Sequence, residues 1–248
     1  MKSIGVIPSR YGSTRFRGKA LADIEGKTMV RRVYEQACKA KLLDGVIVAT
    51  DDVRIKEEVE RFGGKVVMTS PDHPSGTDRV AEAVRDIDVE IVVNVQGDQP
   101  FIDPVMIDEV TLPMIEDPSI EMATLMYRVG EEYYEDPSVV KVVTDRNGFA
   151  LYFSRSLIPY LYKDKNFPVY EHVGLYAYRK DFLLKLTGMP PTPLERVESL
   201  EQLRVLENGF RIKVIETKCP DTELSGMSID TVEDLERARE LMRRKGVC

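Results

Sequence analysis

The stretch Ile4-Gly5-Val6-Ile7-Pro8-Ser9-Arg10-Tyr11-Gly12-Ser13-Thr14-Arg15-Phe16-Arg17-Gly18-Lys19 decides how this 248-residue chain is read. An apolar strand, Ile4–Ile7, stops at a proline and opens into a small-residue loop carrying four cations, Arg10, Arg15, Arg17 and Lys19. The chain around it is acidic, with a formal net charge of -7, so a local positive patch points to a small polyanionic ligand. In open α/β sheets, ligands sit beyond the carboxyl ends of the strands, and Gly12, Ser13 and Gly18 leave room for backbone N–H groups to approach phosphate oxygens. The competing reading is a solvated turn whose arginines pair with surface carboxylates.

Outward from the loop, strand-length apolar runs alternate with segments of helical period. The order is helix Thr28–Ala40, strand Val46–Ala49, helix Val53–Phe62, strand Val66–Met68, helix Thr77–Arg85, strand Ile91–Val95 and helix Pro104–Ile115. That rhythm predicts an α/β fold with a mostly parallel central sheet flanked by helices. Asp103-Pro104 reads as a helix cap followed by a first-turn proline. The second half predicts a mixed part: strands Val139–Thr144 and Phe149–Ser154 around the turn Asp145-Arg146-Asn147-Gly148, strand His172–Tyr178, helix Leu194–Glu207, strand Arg211–Ile215 and helix Val232–Arg243.

The acidic balance argues against nucleic acid as a partner. The three cysteines, Cys38, Cys219 and Cys248, have no metal-ligand spacing and suit a reducing cytoplasm. The early polar turn at Ser9 and the short apolar runs predict a protein that is neither secreted nor membrane-embedded. There is no Walker loop, no Gly-x-Gly-x-x-Gly and no Gly-x-Ser-x-Gly elbow, which argues against P-loop ATPase, dinucleotide and serine-hydrolase chemistry.

Asp98, in Val95-Gln96-Gly97-Asp98-Gln99-Pro100, follows the most hydrophobic strand, where an acid can serve a hard divalent cation or simply make a turn. Asp230, in Ser228-Ile229-Asp230-Thr231, belongs to a helix cap, yet could meet Asp98 if the fold returns it to the same crevice. Asp72-His73-Pro74-Ser75-Gly76-Thr77-Asp78-Arg79 reads as a turn opening a helix with Thr77 as its cap, and a base could lie against Ser75-Gly76-Thr77. Arg155, His172, Tyr176 and Gln202 occupy strand or helix positions where either core satisfaction or ligand contact fits.

Together these segments resemble the cytidylyltransferases that activate 3-deoxy-D-manno-octulosonate (Kdo). The likeness runs from Ile4 to about Arg243 and includes Ile7-Pro8-Ser9-Arg10, Ser13-Thr14-Arg15, Gly18-Lys19, His73–Arg79, Asn94–Asp98, Ala150–Arg155, Leu200–Arg204 and Asp230–Leu235. The resemblance implies a nucleotide-diphospho-sugar transferase-like fold. Its nucleotide-binding part would span 1–128, a smaller mixed β/α part for dimerisation and sugar-acid binding 129–215, and a return to the core 216–248, all within one domain. It further implies Mg²⁺-dependent transfer of CMP from CTP to Kdo for lipopolysaccharide assembly, and a homodimer. Arg10, Arg15 and Lys19 would meet the CTP phosphates, Ser13, Ser75, Gly76 and Thr77 the cytidine, and Asp98 and Asp230 the metal. Arg79, Gln96, Arg155, His172, Tyr176 and Gln202 would face the sugar acid. The chain departs from the family at Ser9 (more often alanine), Phe16-Arg17 (leucine-proline), Ala20 (proline) and Gln99 (glutamate), and Arg17 is expected to add charge beside the triphosphate. A sialic acid as acceptor, a metal-dependent glycosyltransferase and a non-catalytic nucleotide sensor are the alternatives.

Overall fold

The computed structural model describes residues 1–12, 15–219 and 226–246. In chain order the elements are β1 (Ser3–Ser9), β2 (Asp23–Ile24), β3 (Lys27–Thr28), α1 (Met29–Ala37), β4 (Val46–Thr50), α2 (Val53–Arg61), β5 (Val66–Met68), α3 (Gly76–Val84), β6 (Ile91–Asn94) and α4 (Pro104–Glu116). There follow β7 (Met122–Arg128), β8 (Lys141–Thr144), β9 (Ala150–Ser154), β10 (Tyr170–Arg179), α5 (Lys180–Thr187), α6 (Pro193–Glu198), α7 (Gln202–Glu207), β11 (Lys213–Glu216) and α8 (Val232–Lys245). The chain divides into two compact units, Met1–Asp108 with Cys219–Cys248, and Glu109–Lys218. Both boundaries differ from the 128 and 215 read from the sequence, and the first falls inside α4.

In the first unit, β6, β1, β4 and β5 lie side by side, all parallel, with Gly5 opposite both Val46 and Val93. β4 and β6 are buried along their whole length, the condition for near-continuous apolar sequence in a sheet covered on both faces. Helix starts follow the caps. Asp52 accepts the Arg54 N–H, and Asp103 accepts that of Val105 at 2.9 Å. At α3 the cap is Ser75 rather than Thr77: its hydroxyl accepts the Asp78 N–H, so the helix begins at Gly76 and Thr77 is already inside the first turn.

α8 returns to this unit. Its capping box is closed, with Thr231 Oγ1 accepting the Asp234 N–H at 3.1 Å while Asp234 Oδ2 accepts the N–H groups of Thr231 and Asp230. Ile229, Leu235, Ala238 and Met242 pack with Ile24 and Met29 in one buried cluster.

In the second unit β7 lies between parallel β11 and antiparallel β10, and β10 carries the β8–β9 hairpin. β7 and α5 went unseen in the sequence because Met122–Arg128 and Lys180–Thr187 lack clean periodicity. The predicted helix Leu194–Glu207 is two helices, since Ser199 adopts φ 55° and breaks it. The hairpin turn also differs in detail. Only Gly148 (φ 73°) is left-handed, not Asn147, which matches a longer turn with a bulge rather than a two-residue one, and the register shifts between Val143 and Thr144.

Ile229 is fully buried beneath α8. Ile229→Ala should therefore lower the urea-unfolding free energy by about 2–4 kcal/mol; a loss under about 0.5 kcal/mol would show that α8 is not anchored there.

Candidate active site

A cleft in the first unit opens at the carboxyl ends of β1 and β6 and the start of α3, lined by Arg10, Arg15, Lys19, Ser75, Gly76, Arg79, Gln96, Asp98 and Asp230. At its centre Lys19 Nζ donates to Asp98 Oδ2 at 2.9 Å and Asp230 Oδ1 at 3.1 Å, with the Ile229 carbonyl at 3.4 Å. The two acids predicted from distant parts of the sequence thus converge on one cationic atom. Asp230 is free to do so because Thr231, its neighbour, makes the cap. The backbone holds the same junction, for the Ile229 N–H donates to the Asp98 carbonyl at 2.9 Å. Gly97 is required here: a Cβ would lie 2.6 Å from the Pro8 carbonyl oxygen, so no larger residue fits between β6 and β1.

The cations divide by task. Arg15 Nη2 reaches Asp230 Oδ1 at 3.0 Å from a largely exposed position. Arg10 is exposed and has no carboxylate partner among the described residues. Arg79 is buried and donates to Asp51 at 3.2 Å and to Thr69 Oγ1, so its charge is already met within the fold. Arg17 does not enter the cleft lining; its guanidinium lies 5.7 Å from the Tyr11 ring, on which Arg54 also stacks at 3.3 Å. Arg17 thus lies against the Tyr11 ring outside the cleft lining, where its contact helps hold the loop. Ser13 lies outside the described residues. Thr77 is buried in α3 and is not among the cleft-lining residues.

His73, given no role of its own by the sequence, lines the cleft with Nε2 against Glu82 Oε2. The imidazole holds the Glu82 carboxyl below its usual range. No spacing rule pairs a loop histidine with a helical glutamate nine residues on.

The remaining predicted residues belong to the second unit. His172 is enclosed by Phe153 and Tyr176, with ring centroids at 5.0 and 5.3 Å, and its Nε2 lies 3.0 Å from Thr124 Oγ1. The Thr124 hydroxyl also lies 3.0 Å from the Val173 carbonyl and 2.9 Å from that of Leu175, so its single hydrogen serves a carbonyl and its oxygen is placed to accept from an Nε2–H. Burial also raises the Tyr176 phenol. Gln202 is buried and its Nε2 has no partner. Arg155 spends its fork on backbone carbonyls, Nε on Glu198 at 2.7 Å and Nη1 on Pro137 at 2.8 Å, while Glu198 accepts the Ser154 hydroxyl and the Arg155 N–H. Fully buried Lys141 donates to the carbonyls of Asp136, Val139 and Arg155.

Burial pushes the His172 imidazole from 6.5 down to about 3. Between those values the unfolded chain takes up a proton that the folded chain refuses, so stability is full above pH 6.5 and falls as the pH drops through the window. His172→Gln should remove roughly 3 kcal/mol of the loss in unfolding free energy between about pH 6.5 and 4. An identical pH slope in the two proteins would show that the imidazole protonates without unfolding.

Residues 4–215 match the family described as cytidylyltransferase. The chain is 53% identical to the 3-deoxy-manno-octulosonate cytidylyltransferase of Geobacter metallireducens, the match covering 98% of this chain and 99% of that one. It is likewise 53% identical to the protein of the same name from Syntrophus aciditrophicus, with 97% of each covered. Among solved structures, CMP:2-keto-3-deoxy-manno-octonic acid synthetase complexed with CTP superposes with a TM-score of 0.93 at 41% identity, over 99% of this chain and 100% of that one. With its parallel sheet and the acid pair at the end of β6 and the approach to α8, this chain belongs to the cytidylyltransferase family, among the 3-deoxy-manno-octulosonate cytidylyltransferases.

Proposed function

We propose that this chain transfers CMP from CTP to Kdo, giving CMP-Kdo and pyrophosphate, a step in lipopolysaccharide assembly. The observation that carries the reading is the convergence of Asp98 and Asp230 on Lys19 Nζ in a cleft that also presents Arg10 and Arg15. Near full-length similarity to proteins named for this activity supports it. Nothing observed favours a sialic acid as acceptor.

The anomeric hydroxyl of Kdo attacks the α-phosphorus of CTP in line, and pyrophosphate leaves. Such transfer asks mainly for positioning and charge neutralisation from the protein. Arg10, without a carboxylate partner among the described residues, binds phosphate oxygens, and Arg15 and Lys19 offset the negative charge of the leaving group. Ser75 and Gly76 place the first turn of α3 beside the nucleotide. The donor set fits Mg²⁺: Asp98 and Asp230 already bracket one cation, and a hard divalent ion takes one or two carboxylates plus phosphate and water oxygens. Bound there, it would neutralise phosphate charge and lower the pKa of the attacking hydroxyl. We assign Gln96, Arg79, Arg155, His172, Tyr176 and Gln202 to the sugar acid. Arg79 acts by shaping the wall, Arg155 only once it releases its carbonyls, and Gln202 through its unpartnered amide nitrogen.

We also propose a homodimer and a cytoplasmic setting. The first is supported by Tyr160 and Tyr162, 78% and 76% exposed with their rings stacked, and by Phe167. The second is supported by the cysteine usage; no helix of the described residues is long and apolar enough to cross a membrane.

Pyrophosphate release measured across CTP, UTP and GTP with Kdo and a sialic acid should appear for CTP with Kdo and vanish with EDTA; equal release with the sialic acid would overturn the acceptor assignment. Asp98→Asn should cut kcat by about 100-fold with little change in melting temperature, and wild-type turnover in that variant would remove Asp98 from the mechanism. The double variant Tyr160→Ser, Tyr162→Ser should sediment as a monomer where the parent sediments as a dimer. A parent that is itself monomeric, or a variant that stays dimeric, would reject that surface.

A further inference from the structure

Ser9 ends β1, one residue before Arg10, and only 4% of it is exposed. Its neighbours are fixed. Its backbone lies opposite Thr50 of β4, and its Oγ is 3.2 Å from the point where a Cβ on Gly97 would stand. That buried hydroxyl has no hydrogen-bond partner, and among the described residues with a buried unpartnered side-chain atom Ser9 alone is a cleft-lining residue. A buried hydroxyl without a partner is a cost to the fold that alanine at the same place would not carry. The other residues with such atoms do not line this cleft, so within it a bound ligand would recover the cost at Ser9.

We infer that the Ser9 hydroxyl is a ligand-binding group that donates a hydrogen bond to an oxygen of the triphosphate chain. The position selects the phosphates over the base. Ser9 is flanked by Arg10, exposed and without a carboxylate partner among the described residues, and Gly97 beside it leads directly into Asp98, which with Lys19 marks the charged centre of the cleft. Hydrogen bonds to an anionic oxygen are the stronger, charge-assisted kind. This rests on the reading of the cleft as a CTP site.

The test is calorimetric binding of CTP and of inorganic tripolyphosphate to the parent and to Ser9→Ala, with the melting temperature of each ligand-free protein. CTP and tripolyphosphate should both bind about tenfold more weakly to the variant, which in the ligand-free form should melt no lower than the parent. Unchanged CTP affinity overturns the contact. Weaker CTP binding with unchanged tripolyphosphate binding overturns the assignment to the phosphates. A lower melting temperature of the ligand-free variant would show that the hydroxyl serves the fold instead. A parent that binds neither CTP nor tripolyphosphate would reject the CTP site itself, and this contact with it.

Discussion

The cleft of the first unit is organised around the ammonium of Lys19 held between two carboxylates. Asp98 and Asp230, partly withdrawn from water, would repel each other if left to themselves, and a cation between them turns that repulsion into a clasp. The clasp joins three places far apart in the chain: the end of the cationic loop, the exit from β6 and the approach to α8. The Ile229 N–H to the Asp98 carbonyl fixes the same junction from the backbone side, and the apolar cluster around Ile229 and Met242 keeps α8 in place behind it. The junction is thus a point in the protein that already selects a positive charge.

Around that point, side chains of one type do different work because their neighbours differ. Arg79 is spent on Asp51 and Thr69, Arg17 and Arg54 on the faces of Tyr11, and Arg15 on Asp230. Arg10 alone of these arginines has no such partner among the described residues. A dense cationic loop is therefore mostly architecture, and the binding charge it offers is smaller than its composition suggests. Rigidity is what the remaining charges contribute, since a loop braced by stacking loses less freedom on binding.

The second unit solves a different problem, the burial of polar groups. Lys141 is fully enclosed, yet its three N–H donors meet three backbone carbonyls, two of them just ahead of β8 and one after β9. Glu198 ties the Ser154 hydroxyl and the Arg155 amide to the end of α6, and Arg155 returns the bond to the Glu198 carbonyl. These closed networks hold the wall in which His172 stays neutral, a condition set by burial and not by any charged neighbour.

The sequence by itself determined the parallel βα rhythm of the first unit, because apolar periodicity and caps are local properties written within a few residues. It also singled out Asp98, Asp230, Arg10 and Lys19, since glycine, proline and charge cluster at strand ends in patterns that need no partner to be seen. It misplaced the cap of α3, passed over β7 and α5, and read one helix where Ser199 makes two, each a case in which packing or a single backbone angle outweighs propensity. Only the tertiary structure decided that the two acids share one cation, that Arg17 braces Tyr11, that His73 meets Glu82 and that Arg155 is bound to carbonyls. These facts depend on distances between segments many residues apart, and the fold sets such distances through burial and sheet order, which no local pattern encodes.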